Sequence, residues 1–408
     1  MTSVREAAFE LFRERGMTTI FGNPGSTELA MLGPLPEGFD YVLGLHEAVA
    51  VGMADGFAQA SGNVAHVNLH TAPGVGNAVG AIFNARANKA PLLVTAGQQA
   101  RSLITMQANL TNREAVDAPK PHVKWSYEPP RAADVPFALA QAVHHASLPP
   151  QGPAFVSVPM DDWARELEPG DFATQIARSV GARAQPERAR IAALAQRLRS
   201  ARRPVFVAGP DIDASGGWDA AVELVESQRL PVWASPATGG GRIGFPEGHP
   251  AFQGVLPPAV GPLAQPLHGH DLVLVAGSCV FPYYPNIPGE FLPAGAELVA
   301  ITSDPDEAAR AGGRGDRRRR RADATRARAR ARRAVWARAA AGAHGARAAS
   351  VWRAAIGRRG ARHARRAVPR RRDRRARVPL EHRGAAQPAA HLAPGLLLLQ
   401  RRRRARLR

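Results

Sequence analysis

Cysteine is nearly absent from this 408-residue sequence, in which Cys279 is the only one. An intrachain disulfide is therefore excluded, and the scarcity of cysteine indicates a reducing compartment. Long apolar runs are lacking too, since the stretch 396–399 is far too short to span a bilayer. The N-terminal segment 1–16 carries Arg and Glu throughout and has no continuous apolar core, which argues against a signal peptide. We therefore expect a cytoplasmic protein that does not enter a membrane.

Lysine and acidic residues are scarce in the last quarter of the chain, which divides it into two unlike parts. Residues 1–310 carry 22 Lys+Arg and 30 Asp+Glu, whereas residues 311–408 carry 32 Arg, no Lys and 4 acidic residues. The net charge of +20 therefore belongs to the second part, because the first is mildly acidic. Residues 311–408 are dominated by Arg and Ala and have no sustained apolar period, so they cannot bury enough apolar surface to fold independently. We expect a disordered, Arg-rich tail.

Short apolar runs alternate with helical segments up to residue 310, which predicts an α/β fold with two doubly wound parallel-sheet domains. The first domain is expected over 1–175 and the second over 185–310, with a polar linker at about 166–188. The strands are predicted at 18–21, 41–45, 64–69, 91–97, 153–159, 204–209, 231–234, 271–277 and 298–302. The glycines at 239–241 and Gly209-Pro210 predict turns, and nucleotide binding is the weaker alternative.

Chemically useful side chains follow the first strands of the predicted sheet. Ser26, Glu47 and His70 lie in strand-to-helix crossovers, and open α/β sheets place their ligands at that edge. Each also has a structural alternative. Glu47 suits a helix N-terminus, Ser26 or Thr27 could cap a helix, and His70 could be satisfied by backbone groups. A hydrolase triad is disfavoured because Ser26 lies in a Pro-Gly-Ser turn without the G-x-S-x-G elbow.

Three motifs in this region carry a resemblance. They are FGNPGSTE at 21–28, LHEAVAVGMADGFAQASG at 45–62 and NLHTAPGVGNAVGA at 68–81. They resemble the pyrimidine-binding domain of thiamine diphosphate enzymes. The segment WSYEP at 125–129 and the pairing of Ser26 with His70 make the benzoylformate decarboxylase branch the closer match. The likeness runs in register to about residue 311, roughly three quarters of the chain.

The resemblance implies thiamine diphosphate-dependent, non-oxidative decarboxylation of an aromatic 2-oxo acid, benzoylformate, to benzaldehyde and carbon dioxide. Glu47 would hydrogen-bond the aminopyrimidine of the cofactor and promote its imino tautomer. Ser26 would hold the substrate carboxylate. His70 would move protons at the carbinol carbon, a role that suits imidazole near neutral pH. An acetolactate-synthase-like carboligase is the alternative within the family.

Further pocket residues also follow from the resemblance. Pro24, Gly25 and Asn77 would shape the cofactor pocket, and Leu110 would pack against an aromatic substrate ring. Tyr284 stands where the family has a second active-site histidine. A phenol is a poorer proton shuttle than an imidazole near neutral pH, so this departure affects the later steps or the substrate preference.

Metal binding is implied at two places. A secondary cation site of backbone carbonyls would fall at Asp117, Ala118 and Lys120. The family holds the cofactor diphosphate through Mg²⁺ in a third domain, marked by Gly-Asp-Gly and a later pair of Asn. Residues 311–408 contain neither motif. We therefore expect the diphosphate and Mg²⁺ site to be absent and the 408-residue chain to be inactive by itself.

The resemblance also implies partners. The family builds its site between subunits, so a homo-oligomer is expected, a tetramer in the family, and a place in mandelate catabolism. The tail has three interpretations: a nucleic-acid-binding segment that neutralises phosphates, a solvated extension without a role, or out-of-frame translation of a GC-rich gene. The third is favoured because Arg, Ala, Gly and Pro have GC-rich codons and the family likeness breaks off abruptly after Arg310.

Overall fold

The structure is a computed structural model that describes residues 2–168, 172, 177–178, 185–236, 242–281 and 283–310. The two predicted domains are therefore described almost completely. The predicted tail at 311–408, the glycines at 239–241 and most of the segment around the predicted domain boundary lie outside the described residues. Within the described ranges, no helix is long and apolar enough to cross a membrane.

The first domain is a six-stranded parallel sheet covered by helices. Its strands, in chain order, are β1 (Thr2–Ser3), β2 (Thr19–Asn23), β3 (Asp40–Leu43), β4 (Ala65–Leu69), β5 (Leu92–Gln98), β6 (Trp125–Tyr127), β7 (Ala154–Pro159) and β8 (Glu166–Leu167). Its helices are α1 (Val4–Glu14), α2 (Leu29–Leu32), α3 (Glu47–Ser61), α4 (Thr71–Ala87), α5 (Arg101–Ile104) and α6 (Val135–Ser147). The sheet has the order β3-β2-β4-β5-β7-β6, and β1 pairs antiparallel with β8.

Helices cover both faces of this sheet, as the sequence predicts for a doubly wound domain. Successive strand residues point to opposite faces. Ile20 packs into the layer formed with α1 and α6, whereas Phe21 packs into the layer formed with α3 and α4. The same alternation separates Leu93 from Val94 on β5. Because both faces are buried, these strands carry apolar residues on both faces, and this made β2, β4, β5 and β7 predictable.

The path of the chain creates a switch point between β2 and β4. From β2 the chain crosses to β3 on one side, and it then returns to β4 on the other side of β2. The last residues of the two strands, Asn23 and Leu69, are paired in register. The segments that begin at Pro24 and at His70 therefore leave the sheet side by side. This is the position at which open α/β sheets bind their ligands.

Helix α3 has a cap residue at each end, His46 and Gly62. Nδ1 of His46 accepts a hydrogen bond from the N–H of Ala48 at 3.1 Å, which satisfies one free donor of the first turn. The helix ends at Gly62, whose φ of 73° is the left-handed conformation that glycine adopts without strain. Helix α3 packs against α4, so the first turns of both helices lie near the switch point.

The second domain is a parallel sheet of the order β11-β10-β9-β12-β13. Its strands are β9 (Pro204–Ala208), β10 (Val232–Ala234), β11 (Phe252–Val255), β12 (Leu272–Ala276) and β13 (Glu297–Ile301). Its helices are α7 (Arg188–Ser200), α8 (Asp211–Ala214), α9 (Trp218–Gln228), α10 (Val260–Ala264) and α11 (Pro305–Arg310). A methyl group at Gly209 would lie 2.3 Å from the carbonyl oxygen of Gly277, so this glycine permits close packing of two loops.

Candidate active site

Three crossover segments converge at the switch point between β2 and β4. A methyl group at Gly25 would lie 2.2 Å from Nδ1 of His70, so the turn after β2 rests against the imidazole ring and admits only glycine there. A methyl group at Gly74, in the first turn of α4, would lie 3.3 Å from Cβ of His70 and 3.4 Å from Oε1 of Glu47. His70 and Glu47 therefore flank Gly74. The structure thus brings His70, Glu47 and the turn that carries Ser26 to one edge of the sheet.

Of the two carboxylate oxygens of Glu47, only one is hydrogen-bonded to a described residue. Glu47 is the first residue of α3 and is buried, with 7% of the residue exposed. Oε2 accepts a hydrogen bond from Nδ2 of Asn77 at 3.0 Å. No described residue hydrogen-bonds Oε1. The amide of Asn77 therefore orients the carboxylate and leaves its other oxygen for a ligand.

His70 lies beside a buried carboxylate that the sequence analysis did not single out. Nδ1 of His70 is 2.9 Å from Oε2 of Glu28 and 3.2 Å from Oγ1 of Thr27. Glu28 is 1% exposed, whereas the side chain of His70 is 20% exposed. The spacing of Glu28 three residues after Gly25 is a helix-capping signal. That signal predicts a cap and gives no indication of a histidine 42 residues away.

Ser26 is exposed and makes no hydrogen bond with any described residue. It begins the short 3-10 turn Ser26–Glu28, whose cap residue is Gly25. The prediction that Ser26 or Thr27 caps this helical segment is wrong. The side chain of Glu28 caps the turn instead, because its Oε2 accepts a hydrogen bond from the N–H of Gly25 at 2.7 Å. The hydroxyl of Ser26 is consequently left facing solvent at the mouth of the site.

Comparison with known proteins identifies the family. Residues 2–116 match the N-terminal TPP binding domain of thiamine pyrophosphate enzymes, and residues 191–314 match the central domain of the same enzymes. Together the two matches cover more than half of the chain. The chain belongs to the thiamine pyrophosphate enzyme family. This confirms the resemblance drawn from the sequence motifs.

Several relatives within this family are benzoylformate or 4-hydroxybenzoylformate decarboxylases. A benzoylformate decarboxylase of Pseudomonas aeruginosa is 51% identical over 311 residues, which are 76% of this chain and 58% of the relative. The solved structure of a thiamine diphosphate-dependent 4-hydroxybenzoylformate decarboxylase from Rhodococcus jostii RHA1 is 49% identical with a TM-score of 0.73, over 76% of this chain and 58% of that one. The acetolactate synthase isozyme 3 large subunit of Escherichia coli is more distant, at 32% identity over 261 residues, 63% of this chain and 45% of the relative.

The chain therefore spans 58% of the length of the benzoylformate decarboxylase that it matches. The matched part contains the N-terminal and central domains of the family. Among the described residues, no group of three or more His, Cys, Asp and Glu side chains could hold a metal ion.

Thr71 and Leu110 have a backbone conformation that is strained for residues other than glycine. Thr71, directly after His70, has a φ of 34°, and its buried hydroxyl lacks a hydrogen-bond partner in the described part of the chain. Leu110, the predicted contact for an aromatic ring, has a φ of 71°. Such conformations cost about 1–3 kcal/mol each and cluster at ligand sites. The loop that carries Leu110 is tied to the end of β5, because Nε2 of Gln99 donates to the carbonyl oxygen of Asn109 at 2.8 Å.

Tyr284 and the predicted cation site have their hydrogen bonds with residues other than Glu47 and His70, and their roles stay predictions. Tyr284 belongs to the second domain, is 86% exposed, and donates its N–H to the carbonyl oxygen of Pro258 at 2.8 Å. No hydrogen bond between described residues joins it to Glu47 or His70. At the predicted cation site, Nζ of Lys120 is 2.9 Å from Oδ1 of Asp117, and the carbonyl of Asp117 accepts the N–H of Lys120. Ala118 is half-buried beside them.

Proposed function

We propose that this chain carries the pyrimidine-binding half of a thiamine diphosphate-dependent decarboxylase that converts benzoylformate, an aromatic 2-oxo acid, to benzaldehyde and carbon dioxide. The observation that supports this most is the buried Glu47 at the switch point, with one oxygen open and His70 across Gly74. The identity of 51% with a benzoylformate decarboxylase favours this substrate over those of the more distant acetolactate synthases.

The residues present fit the aminopyrimidine part of the cofactor. The open oxygen of Glu47 suits a ring nitrogen that carries or shares a proton, and Asn77 keeps the carboxylate in place. Pro24 and Gly25 would form one wall of the pocket. When bound, thiamine diphosphate supplies a nucleophilic carbon and an electron sink for the pair released with carbon dioxide. Glu47 would hold the proton that the cofactor exchanges at this oxygen.

Substrate binding would fall to side chains at the open edge of the sheet. Ser26 has a free hydroxyl, which would donate a hydrogen bond to the substrate carboxylate. His70 would move protons at the carbinol carbon. Leu110 would pack against the aromatic ring. Tyr284 stands where the family has a histidine. It would act on the substrate only if this chain or a partner subunit brings it to the site in the first domain.

Diphosphate binding needs groups beyond those described. Mg²⁺ prefers oxygen ligands such as those of Asp and Asn. Residues 311–408 contain no Gly-Asp-Gly and no Asn, so the proposal assigns the diphosphate and Mg²⁺ to a third domain that these residues do not provide. We expect the 408-residue chain, mixed with thiamine diphosphate, Mg²⁺ and benzoylformate, to release no carbon dioxide. Robust turnover would contradict this part of the proposal.

A chimera tests the function itself. Residues 1–310 would be joined to the C-terminal domain of the Pseudomonas aeruginosa benzoylformate decarboxylase, which is 51% identical in the matched part. We expect this chimera to release carbon dioxide and benzaldehyde from benzoylformate. Glu47→Gln should lower the rate by about 10²–10⁴-fold, the range for a lost proton-transfer group. A chimera that binds thiamine diphosphate but yields only acetolactate from pyruvate would replace the proposal by the carboligase alternative.

Sequencing of the gene from codon 300 onward tests the origin of the tail. If another reading frame restores Gly-Asp-Gly and the later Asn pair, the out-of-frame interpretation is correct. If no frame restores them, the basic tail is genuine, and salt-dependent nucleic-acid binding by residues 311–408 becomes the function to test. The proposed decarboxylase function also includes a cytoplasmic location, a homo-oligomer and a place in mandelate catabolism.

A further inference from the structure

Glu28 is a carboxylate buried inside the protein, and three hydrogen-bond donors converge on it. Its two oxygens each accept a hydrogen bond from a backbone N–H: Gly97 donates to Oε1 at 2.9 Å, and Gly25 donates to Oε2 at 2.7 Å. A backbone N–H can only donate, and hydrogen bonds donated to a carboxylate favour its charged form. The hydroxyl of Thr27 also donates to Oε1, at 2.6 Å. The charged form of Glu28 is therefore the form that this site holds.

The geometry around Nδ1 of His70 determines which ring nitrogen carries the proton. Oε2 of Glu28 lies 2.9 Å from Nδ1 and can only accept. Oγ1 of Thr27 lies 3.2 Å from Nδ1, and its own hydrogen is directed to Glu28. Both neighbours of Nδ1 are consequently acceptors. In the neutral ring, Nδ1 must carry the hydrogen and Nε2 the lone pair.

Two glycines make room for this pair of side chains. A methyl group at Gly97 would lie 2.0 Å from Oε1 of Glu28, and one at Gly25 would lie 2.2 Å from Nδ1 of His70. No Lys or Arg among the described residues forms an ion pair with Glu28, so His70 is its only basic partner there. The pair is thus enclosed by backbone on both sides.

We propose that Glu28 is a positioning residue, which holds His70 as the Nδ1–H tautomer and presents Nε2 to the active site. The tautomer follows from the contacts alone, whereas its use in proton transfer rests on the proposed function. Glu28 contacts neither the substrate nor the cofactor in this scheme. It acts through His70, in the way that a carboxylate orients a histidine in other proton-transfer sites.

Nitrogen NMR on the full 408-residue chain tests the proposal without any catalytic activity. The chain would be labelled with ¹⁵N-histidine, and the His70 signals assigned by their loss in His70→Gln. At a pH where imidazole is neutral, we expect Nδ1 of His70 to give the shift of a protonated ring nitrogen and Nε2 that of an unprotonated one. An Nε2–H tautomer in the unmodified protein would overturn the proposal.

Two variants locate the cause of the tautomer. Glu28→Leu removes the acceptor and should release His70 to a mixture of tautomers, seen as a shift of both nitrogen signals toward each other. Thr27→Val keeps Glu28 and should leave the Nδ1–H tautomer in place. Persistence of that tautomer in Glu28→Leu, or its loss in Thr27→Val, would contradict the role of Glu28. If Glu28→Leu does not fold, the tautomer of His70 in the unmodified protein and in Thr27→Val still tests the proposal. Failure of the chimera to release carbon dioxide would leave this result unaffected.

Discussion

At the scale of single residues, His66 makes the first domain sensitive to acid. It is completely buried in β4, and burial lowers the pKa of its imidazole to about 3. The unfolded chain titrates near pH 6.5. Between these values the unfolded state binds a proton that the folded state does not, so stability falls as the pH falls. The loss is at most about 1.4 kcal/mol per pH unit, and it stops below pH 3.

His66→Gln should flatten this acid dependence. The amide of Gln does not titrate and can replace the hydrogen bond between Nε2 of His66 and Oγ1 of Thr95, which is 2.9 Å long. The variant loses packing against Phe12, whose ring centroid is 4.6 Å away, so its stability at pH 7 should be lower. The urea midpoint of first-domain peptides, followed by pulse proteolysis at pH 7 and pH 5, measures the difference. An equally steep fall in the variant would assign the acid sensitivity to other groups.

Single residues also show how far the sequence could locate the site. Glu47, His70 and the turn of Ser26 were predictable, because each follows a strand of a parallel sheet and such strand ends share one edge. Glu28 was not, because its partner lies on a different crossover and only the pairing of β2 with β4 brings them together. A local pattern reports the cap that Glu28 forms with Gly25 and cannot report a contact across the sheet.

At the scale of secondary-structure elements, β5 depends on one glycine. A methyl group at Gly97 would lie 2.0 Å from Oε1 of Glu28 and 2.4 Å from Oγ1 of Thr27, both in buried residues. Neither neighbour can move without breaking hydrogen bonds. Gly97→Ala should therefore destabilise the first domain by about 1–3 kcal/mol, the cost typical of overpacking.

Gly80→Ala provides the matched control on α4. A methyl group there would meet nothing within 4 Å. Because glycine in a helix interior is less favourable than alanine, this variant should gain roughly 0.5–1 kcal/mol. Urea unfolding of both variants under the same conditions compares them. Equal stability of Gly97→Ala and the unmodified protein would show that the space around Glu28 is larger than the structure indicates.

At the same scale, the strands were predictable where the sequence contains a short apolar run. The nine predicted strands match β2, β3, β4, β5, β7, β9, β10, β12 and β13 within two residues at each end. Four strands were not predicted. The strands β1 and β8 have only two residues each and pair with each other. The strands β6 and β11 are short edge strands of three or four residues and are largely half-buried or exposed, so they lack the continuous apolar run that marks a central strand. Neither strand contributes a residue to the candidate site.

At the scale of the whole molecule, Lys89 joins the two domains. It follows α4 in the first domain, and its Nζ lies 2.5 Å from Oδ2 of Asp211 and 2.9 Å from Oε1 of Glu307, both in the second domain. Its side chain is 17% exposed. Burial opposes its charge, but the two carboxylates outweigh burial and raise the pKa of Lys89. Local sequence could not predict this contact, because its three members lie on separate elements of two domains.

Lys89→Met should therefore weaken the attachment of the second domain. The variant leaves Asp211 and Glu307 facing each other without a cation, and breaking a buried ion pair in this way costs about 3–5 kcal/mol. Amide hydrogen exchange of a peptide that contains α11 should become about a hundredfold faster or more, since each 1.4 kcal/mol corresponds to a factor of ten. Lys120→Met is the control, because its ion pair with Asp117 is about half exposed and such pairs contribute about 0–1 kcal/mol. If both variants exchange alike, the domains are held by their apolar contacts and Lys89 only neutralises its neighbours.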